Sequence, residues 1–316
     1  MNHALVDALD LLGEWLTHQE YGFTTPTPST IARVNARYNN VNANNLREVF
    51  GWSRSFAPDF LPAELLGCLR DGELLEVVGE GFRSRVRFST IGRSLYAHSA
   101  FPTTEPDSIF FGPDSYRFID LIRNELAIAP LIPEARILDI CCGAGPGGIE
   151  AGLVASSQSA GITFSDINPV ALDFARSNAR RAGVLNARFV QSDLFRAVPE
   201  QYELVIANPP YLVDATNRIY RNGGGALGAE LSERLVAEGI DHLAPGGKLI
   251  LYTGVAMVDG VDPFFNYICS TLDRSKFSYR YRELDPDVFG EELDTPAYQH
   301  AERIAAVALV IEHTSP

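Results

Sequence analysis

Residues 137–148 read ILDICCGAGPGG. The run Arg136–Ile140 reads as a buried strand with one carboxylate, Asp139, near its end. Gly143, Gly145, Gly147 and Gly148 follow, and then a helix begins. Glycines let the backbone approach a ligand closely, and a helix N-terminus offers free N–H groups. Asp166 ends the next strand, 21 residues after Gly145. A carboxylate there can accept both hydroxyls of a ribose. Asp193 ends the third strand, in FVQSD. A glycine turn with a downstream acid is also the dinucleotide fingerprint, so by itself it leaves the ligand open.

A second stretch narrows the choice. Residues 204–211 read LVIANPPY. Leu204, Val205, Ile206 and Ala207 form a buried strand, and Pro209-Pro210 must end it because proline has no N–H for the ladder. Asn208 offers an amide, the Pro209 carbonyl is rigidly held, and Tyr211 offers a flat ring. Acceptors beside an aromatic face suit a planar NH2 group. A hydride-transfer enzyme has no use for this arrangement. Asp139, placed before the glycines, suits a cationic amino-acid tail and would repel a pyrophosphate. Both features favour S-adenosylmethionine over a dinucleotide. Cys141 and Cys142 read as small buried side chains inside the loop, since no ligand partner is spaced nearby.

Working outward, strands and helices alternate from residue 106 onward. Helices are expected over Ser115–Leu126, Pro169–Ala182, Leu227–His242 and Pro263–Leu272, and strands over Arg136–Ile140, Ile162–Ser165, Arg188–Val190, Leu204–Ala207 and Lys248–Thr253. Such alternation gives a mostly parallel α/β sheet covered on both faces. Two last strands, Tyr279–Leu284 and Ala305–Ile311, form an antiparallel edge. Upstream, residues 1–20 carry a helical apolar stripe (Leu5, Ala8, Leu12, Trp15, Leu16). A Thr/Pro segment breaks it, and Ser29 is placed to cap a helix from Ile31. The Asn-rich stretch Tyr38–Asn45 reads as a loop and Leu61–Leu69 as a short helix between Pro62 and Gly72. A hairpin follows: a strand through Leu74–Val78, a turn at Gly79–Gly81, and a return over Phe82–Ser89. Helices and then a hairpin describe a winged-helix-like module over residues 1–105, with a linker at Pro102–Asp107. On the returning strand Arg83, Arg85 and Arg87 alternate and share one face, either as a wing that touches phosphate or an acidic partner or as a solvated surface balanced by Glu73, Glu76 and Glu80.

Composition bounds the function. The chain has 316 residues, 46% hydrophobic and 21% charged, which is ordinary for a globular protein. The longest apolar run, Ile304–Ile311, is far short of the roughly 18 residues of a membrane span. The acidic N-terminus lacks the pattern of a secretory signal. The four cysteines show no CxxC and no metal spacing with histidine, so no metal is expected and a reduced cytoplasmic setting is. Net charge is −14. Residues 1–105 carry 9 Arg against 12 Asp and Glu (−3), and 106–316 carry 17 basic against 28 acidic residues (−11). That balance weighs against long nucleic-acid contacts.

Taken together, ILDICCGAGPGG, FSDINPVALDFARSNARRAG, FVQSDLF, ANPPY and LAPGGKLILYTG resemble a class I S-adenosylmethionine-dependent methyltransferase of the NPPY type over residues 106–316. The similarity is closest to the release-factor glutamine N5-methyltransferase group, whose loop after NPPY is similar to RNGGGALG here. The resemblance implies a seven-stranded Rossmann-like sheet with S-adenosylmethionine over the strand ends. It implies that Asp139, Gly143 and Gly145 cradle the methionine part, that Asp166 holds the ribose and that Asp193 meets the adenine amine. Cys141, Ile167 and Leu194 fall at the same cofactor positions, and Phe111 and Tyr116 close over them. Asn208, Pro209, Pro210 and Tyr211 are the implied catalytic residues. The segment Gly112-Pro-Asp-Ser-Tyr116 departs from that group's Pro-Arg-Pro-Glu type, and the winged N-terminal part departs from its helical bundle. The acceptor therefore stays open between a protein glutamine, an exocyclic amine of RNA or DNA (adenine N6 or guanine N2) and a small-molecule amine. A cofactor-binding regulator is the non-enzymatic alternative. An acidic segment (Glu283, Asp285, Asp287, Glu291, Glu292, Asp294) reads equally as a substrate-attracting rim or a solvated loop.

Overall fold

The computed structural model describes residues 1–155 and 160–314. The chain opens with α1 (His3–His18), α2 (Pro28–Asn35), α3 (Leu46–Phe50) and α4 (Ala63–Asp71). Two hairpins follow, β1 (Leu75–Val78) with β2 (Gly81–Ser84), and β3 (Val86–Ile91) with β4 (Ser94–Ser99). The α/β part contains α5 (Pro113–Ile128), β5 (Arg136–Ile140), α6 (Pro146–Val154), β6 (Gly161–Asp166), α7 (Pro169–Arg181), β7 (Ala187–Gln191), β8 (Tyr202–Ala207), α8 (Glu230–Gly239), β9 (Leu243–Met257), α9 (Pro263–Thr271), β10 (Phe277–Asp285) and β11 (Arg303–His313).

The expected seven-stranded sheet forms, in the order β10-β11-β9-β8-β5-β6-β7. Strands β5 to β9 run parallel, and β11 pairs antiparallel with both β9 and β10. The chain moves from β5 outward to β6 and β7, then returns to β8 on the other side. That reversal leaves a crevice at the carboxyl ends of β5 and β8, the usual ligand position of an open α/β sheet.

Local chemistry explains where the N-terminal elements depart from expectation. The helix after the Thr/Pro segment starts at Pro28, because Thr27 caps it by accepting the Thr30 N–H (3.2 Å) and Pro28 supplies a helical φ at its first position. The Asn-rich stretch ends in a cap: Asn45 accepts the Glu48 N–H (3.1 Å) and starts α3. The returning strand divides at Ser84, whose hydroxyl donates to the Val86 carbonyl (2.7 Å), and its two halves pair with different partners. The shared arginine face therefore does not exist. Arg83 pairs with Glu76 (2.7 Å), Arg85 is exposed, and Arg87 is buried, its Nε donating to the Ser99 carbonyl (3.2 Å).

The core of the N-terminal elements runs into the α/β part. Leu9, Leu12, Leu69, Phe88 and Leu95 share one apolar cluster with Ala171 and Phe174 of α7. Arg181, also on α7, lies over the Phe88 ring and against Gly13 of α1; burial pushes its guanidinium down to about 10. Asn178 is the main polar tie. Its Oδ1 accepts from the Ala97 N–H (2.8 Å), and its Nδ2 donates to the carbonyls of Ala97 (3.0 Å) and Ala144 (2.9 Å). One side chain thus links β4 to the glycine turn. Asn178→Ala leaves these buried groups unpaired and should cost about 3 kcal/mol in urea unfolding. A loss near zero would show that the tie carries no stability.

Candidate active site

A cavity of about 160 Å³ lies in the crevice at the ends of β5, β6 and β8. Its floor includes Asp139, Cys141, Gly143, Asp166 and Ile167. Its far wall is Asn208, Pro209, Pro210 and Tyr211. The two stretches singled out in the sequence therefore face one space.

The glycine turn is tight: Cys141, Gly143 and Gly145 have φ of +55°, +52° and +78°. Asp166 holds it, accepting the Gly143 N–H (2.8 Å) on one oxygen and the Asn168 N–H (2.9 Å) on the other. Asp139 accepts the Gly148 N–H (2.7 Å) and is buried. No ion pair to Asp139 occurs among the described residues. Burial, a cost that the neighbouring Asp166 adds to, pushes its carboxyl well above the ordinary range, and burial also raises Asp166. One buried and one half-buried carboxylate, neither with an ion pair among the described residues, make this end of the cavity receptive to a cation.

The Asn-Pro-Pro-Tyr wall is held from three sides. The Tyr211 hydroxyl donates to Asp114 Oδ2 (2.7 Å), and the Tyr252 hydroxyl donates to Asp114 Oδ1 (2.7 Å). Gly254 lies flat against the Tyr211 ring, where an added Cβ would sit 2.3 Å from ring atoms. Phe289 meets the ring edge-on at 5.9 Å. The glycine run after NPPY has its own reason: a Cβ on Gly223 would fall 1.9 Å from the Gly228 carbonyl, and one on Gly228 would fall 2.3 Å from that of Tyr211. Only bare backbone packs against the NPPY backbone there.

A roof crosses the opening. Ile219, Tyr220 and Arg221 line the cavity. Tyr220 stacks on Phe110 (6.3 Å, 5°), its hydroxyl donates to the Thr103 carbonyl (2.8 Å), and the Ile219 N–H donates to the Pro106 carbonyl (3.3 Å). Arg221 pairs with Glu292 and lies 3.5 Å from Asp214. The acidic segment is thus partly neutralised: Glu283 pairs with Arg303 (2.9 Å), Asp285 with Arg117 (2.6 Å) and Glu292 with Arg221. Asp287, Glu291 and Asp294 stay exposed.

Five residues expected at the cofactor, Phe111, Tyr116, Gly145, Asp193 and Leu194, do not line this cavity. Phe111 is buried against His98 (4.9 Å, 15°) and Tyr96 (5.6 Å), and Tyr116 meets it edge-on while its hydroxyl accepts the Thr25 N–H (3.0 Å). Phe110 lines the cavity instead, because neighbouring residues of an extended segment point to opposite sides. Asp193 is outside the cavity wall, its carboxylate engaged by Arg196 (3.3 Å) and Arg234 (3.3 Å). Leu194, with φ of +46°, packs in the core cluster that includes Leu235 and Val236 of α8. The sequence reading missed Asp114, Gly254 and Phe289. A glycine inside an apolar strand is itself a signal of close approach, and Asp114 sits in the segment already seen to depart from its relatives. Among the described residues no group of His, Cys, Asp and Glu could hold a metal ion, and no helix is long and apolar enough to cross a membrane.

Residues 121–257 match the family model of the methyltransferase small domain. The chain is 34% identical over 159 residues to the release factor glutamine methyltransferase of Deinococcus radiodurans, covering 47% of this chain and 55% of that protein. It is 35% identical over 181 residues to the protein of the same name from Cereibacter sphaeroides, covering 52% and 60%. It is also 33% identical over 116 residues to the ribosomal RNA small subunit methyltransferase C of Hamiltonella defensa, covering 37% and 31%. The matched stretch thus spans at most about 60% of these relatives. Among solved structures, a putative transferase of Pyrococcus horikoshii (TM-score 0.51, 10% identity, 80% of this chain and 83% of that one) and Trm5b of Pyrococcus abyssi (TM-score 0.51, 13%, 80% and 71%) share the fold.

The raised Asp139 pKa has a measurable consequence. Because the folded value exceeds the unfolded one, this group's contribution to stability is complete below about pH 3.9 and is lost as pH rises through the folded pKa. Asp139→Asn removes that loss. Its melting temperature, relative to the unsubstituted chain without ligand, should rise as pH is raised above about 4; an offset independent of pH would show that the Asp139 carboxyl is not raised by burial.

Proposed function

We propose that the chain is an S-adenosylmethionine-dependent N-methyltransferase whose acceptor is a planar amide nitrogen, the side chain of a protein glutamine, with a release factor as the substrate protein. The observation that carries this is that Asn208, Pro209 and Tyr211 share one cavity with Asp139, Gly143 and Asp166. The similarity to release factor glutamine methyltransferases supports the choice of acceptor.

The cavity residues fit the cofactor. Asp139, without an ion pair, would hold the cationic amino end, the backbone around Gly143 would lie along the methionine part, and Asp166 would take the ribose hydroxyls. When bound, S-adenosylmethionine supplies a methyl group on a positively charged sulfur.

The protein's own work is placement. Asn208 is half-buried and, like Pro209, lines the cavity; in this reading the Asn208 amide oxygen takes one N–H of the acceptor and the Pro209 carbonyl takes the other. Binding the nitrogen through its hydrogens leaves its lone pair free to point into the cavity. The same two oxygens take up the positive charge that grows on nitrogen as the new bond forms. Tyr211 packs a flat, fixed ring beside the acceptor plane. Tyr220 stacked on Phe110 covers part of the cavity opening.

Residues 1–105 serve as the substrate-recognition part and 106–316 as the transfer part. Support comes from the linker, whose Thr103 and Pro106 carbonyls hold the roof above the acceptor. A nucleic-acid acceptor loses its main support, since Arg87 is buried and Arg83 is paired with Glu76. Four unpaired cysteines suit a reduced, cytoplasmic setting.

Lysate supplied with labelled methyl donor, then split into protein, RNA and small-molecule fractions, tests the acceptor; label in protein, and in purified release factor, is the expected result. Asn208→Ala should lower transfer by about 10²–10³-fold while the cofactor dissociation constant stays within about threefold. Label confined to RNA or small molecules would sink the glutamine assignment. Full activity in the variant would sink the role of Asn208, and tight cofactor binding without label in any fraction would point to a regulator.

A further inference from the structure

Tyr211 is held by more than its own loop. Its hydroxyl donates to a carboxylate on α5, Asp114 Oδ2, at 2.7 Å across 97 residues of sequence. Asp114 is only 3% exposed, and its other oxygen accepts from Tyr252 of β9 at 2.7 Å. Arg117, one turn along α5, lies 3.2 Å from Asp114 and 2.6 Å from Asp285. An isolated carboxylate in this position would be costly to bury. Two phenols and a guanidinium satisfy it, and each of those bonds also fixes the donor.

The geometry leaves Tyr211 few other places to be. Gly254 presses on one side of its ring and Phe289 meets it edge-on. Neither contact has a direction within the ring plane: both permit the ring to slide. The hydrogen bond to Asp114 is the contact that stops the slide, because a phenol O–H bond requires distance and angle together.

We infer that Asp114 is a positioning residue for methyl transfer: through its hydrogen bond to the Tyr211 hydroxyl it fixes the ring that sets the plane of the acceptor nitrogen. The inference rests on the proposed function for its catalytic consequence, but the bond itself can be tested without any ligand. Asp114 also lines the cavity, but both of its oxygens are occupied, one by the Tyr211 hydroxyl and one by the Tyr252 hydroxyl. It acts through Tyr211 alone, and Tyr252 shares the carboxylate without facing the acceptor.

The test is a double-mutant cycle on the full chain, with Asp114→Asn, Tyr211→Phe and the double variant. Asparagine keeps the size of Asp114 and one acceptor oxygen, so folding is retained. In the chain without ligand, unfolding free energies of the pair should be non-additive; additivity within error would mean that the bond is absent and overturns the inference whatever the activity. With purified release factor as acceptor, Asp114→Asn should lower kcat by about 10–100-fold at unchanged cofactor affinity, and the double variant should be no slower than Tyr211→Phe. Tyr252→Phe, which leaves the Tyr211–Asp114 bond in place, should lower kcat less than either Asp114→Asn or Tyr211→Phe. An unaffected kcat in Asp114→Asn, or a Tyr252→Phe loss equal to that of Tyr211→Phe, overturns the positioning role. Absence of transfer by the unsubstituted chain to every fraction is a different failure, that of the proposed function, and leaves the stability arm of the cycle to judge the bond.

Discussion

The site depends on where β8 stops. Tyr202–Ala207 runs through the middle of the sheet, and Pro209-Pro210 cannot extend it. The chain must leave the sheet beside β5, at the point where strand order reverses. That forced exit opens the crevice, places the buried Pro209 on its wall and turns Tyr211 inward onto Asp114. The glycine run that follows packs bare backbone against this turn, since Gly223 and Gly228 have no room for side chains. Strand termination, cavity and wall are one event.

The same crevice collects negative charge. Asp114, Asp139 and Asp166 are all buried or lie at the cavity, and burial raises the pKa of each. Their surroundings differ. Asp114 has phenols and Arg117, and Asp166 has backbone N–H groups of the turn it secures. Asp139 has the single Gly148 N–H and no ion pair among the described residues. A carboxylate left in that state weakens the empty protein and favours a cationic ligand, a common way for a binding site to spend stability on affinity.

The N-terminal elements are joined to this site at two levels. Below, α7 shares its core with α1 and the hairpins through Phe174, Arg181 and Asn178. Above, the linker carbonyls of Thr103 and Pro106 bond the roof loop. Asn178 also bonds the Ala144 carbonyl inside the glycine turn. The N-terminal part is therefore hydrogen-bonded both to the floor, through Asn178, and to the roof of the cavity.

Much of this was legible in local sequence. The strand Arg136–Ile140, the glycine turn, Asp166 and the proline stop at 209–210 all appear as read, because adjacent residues alone fix whether a backbone can extend, turn or end. The arginine face failed at Ser84, where a side chain bonding its own backbone redirected the strand, and Phe111 failed because one residue of phase decides core or cavity. Asp193 was read at the correct strand end, yet Arg196 and Arg234 hold its carboxylate outside the cavity wall. The sequence by itself determined the sheet, the turn and the proline stop after β8, all products of short-range stereochemistry. Only the tertiary structure decided that Asp114, Gly254 and Phe289 would converge on Tyr211. Those residues come from α5, β9 and the loop before β11, and no rule of spacing connects them; the packing of distant elements does.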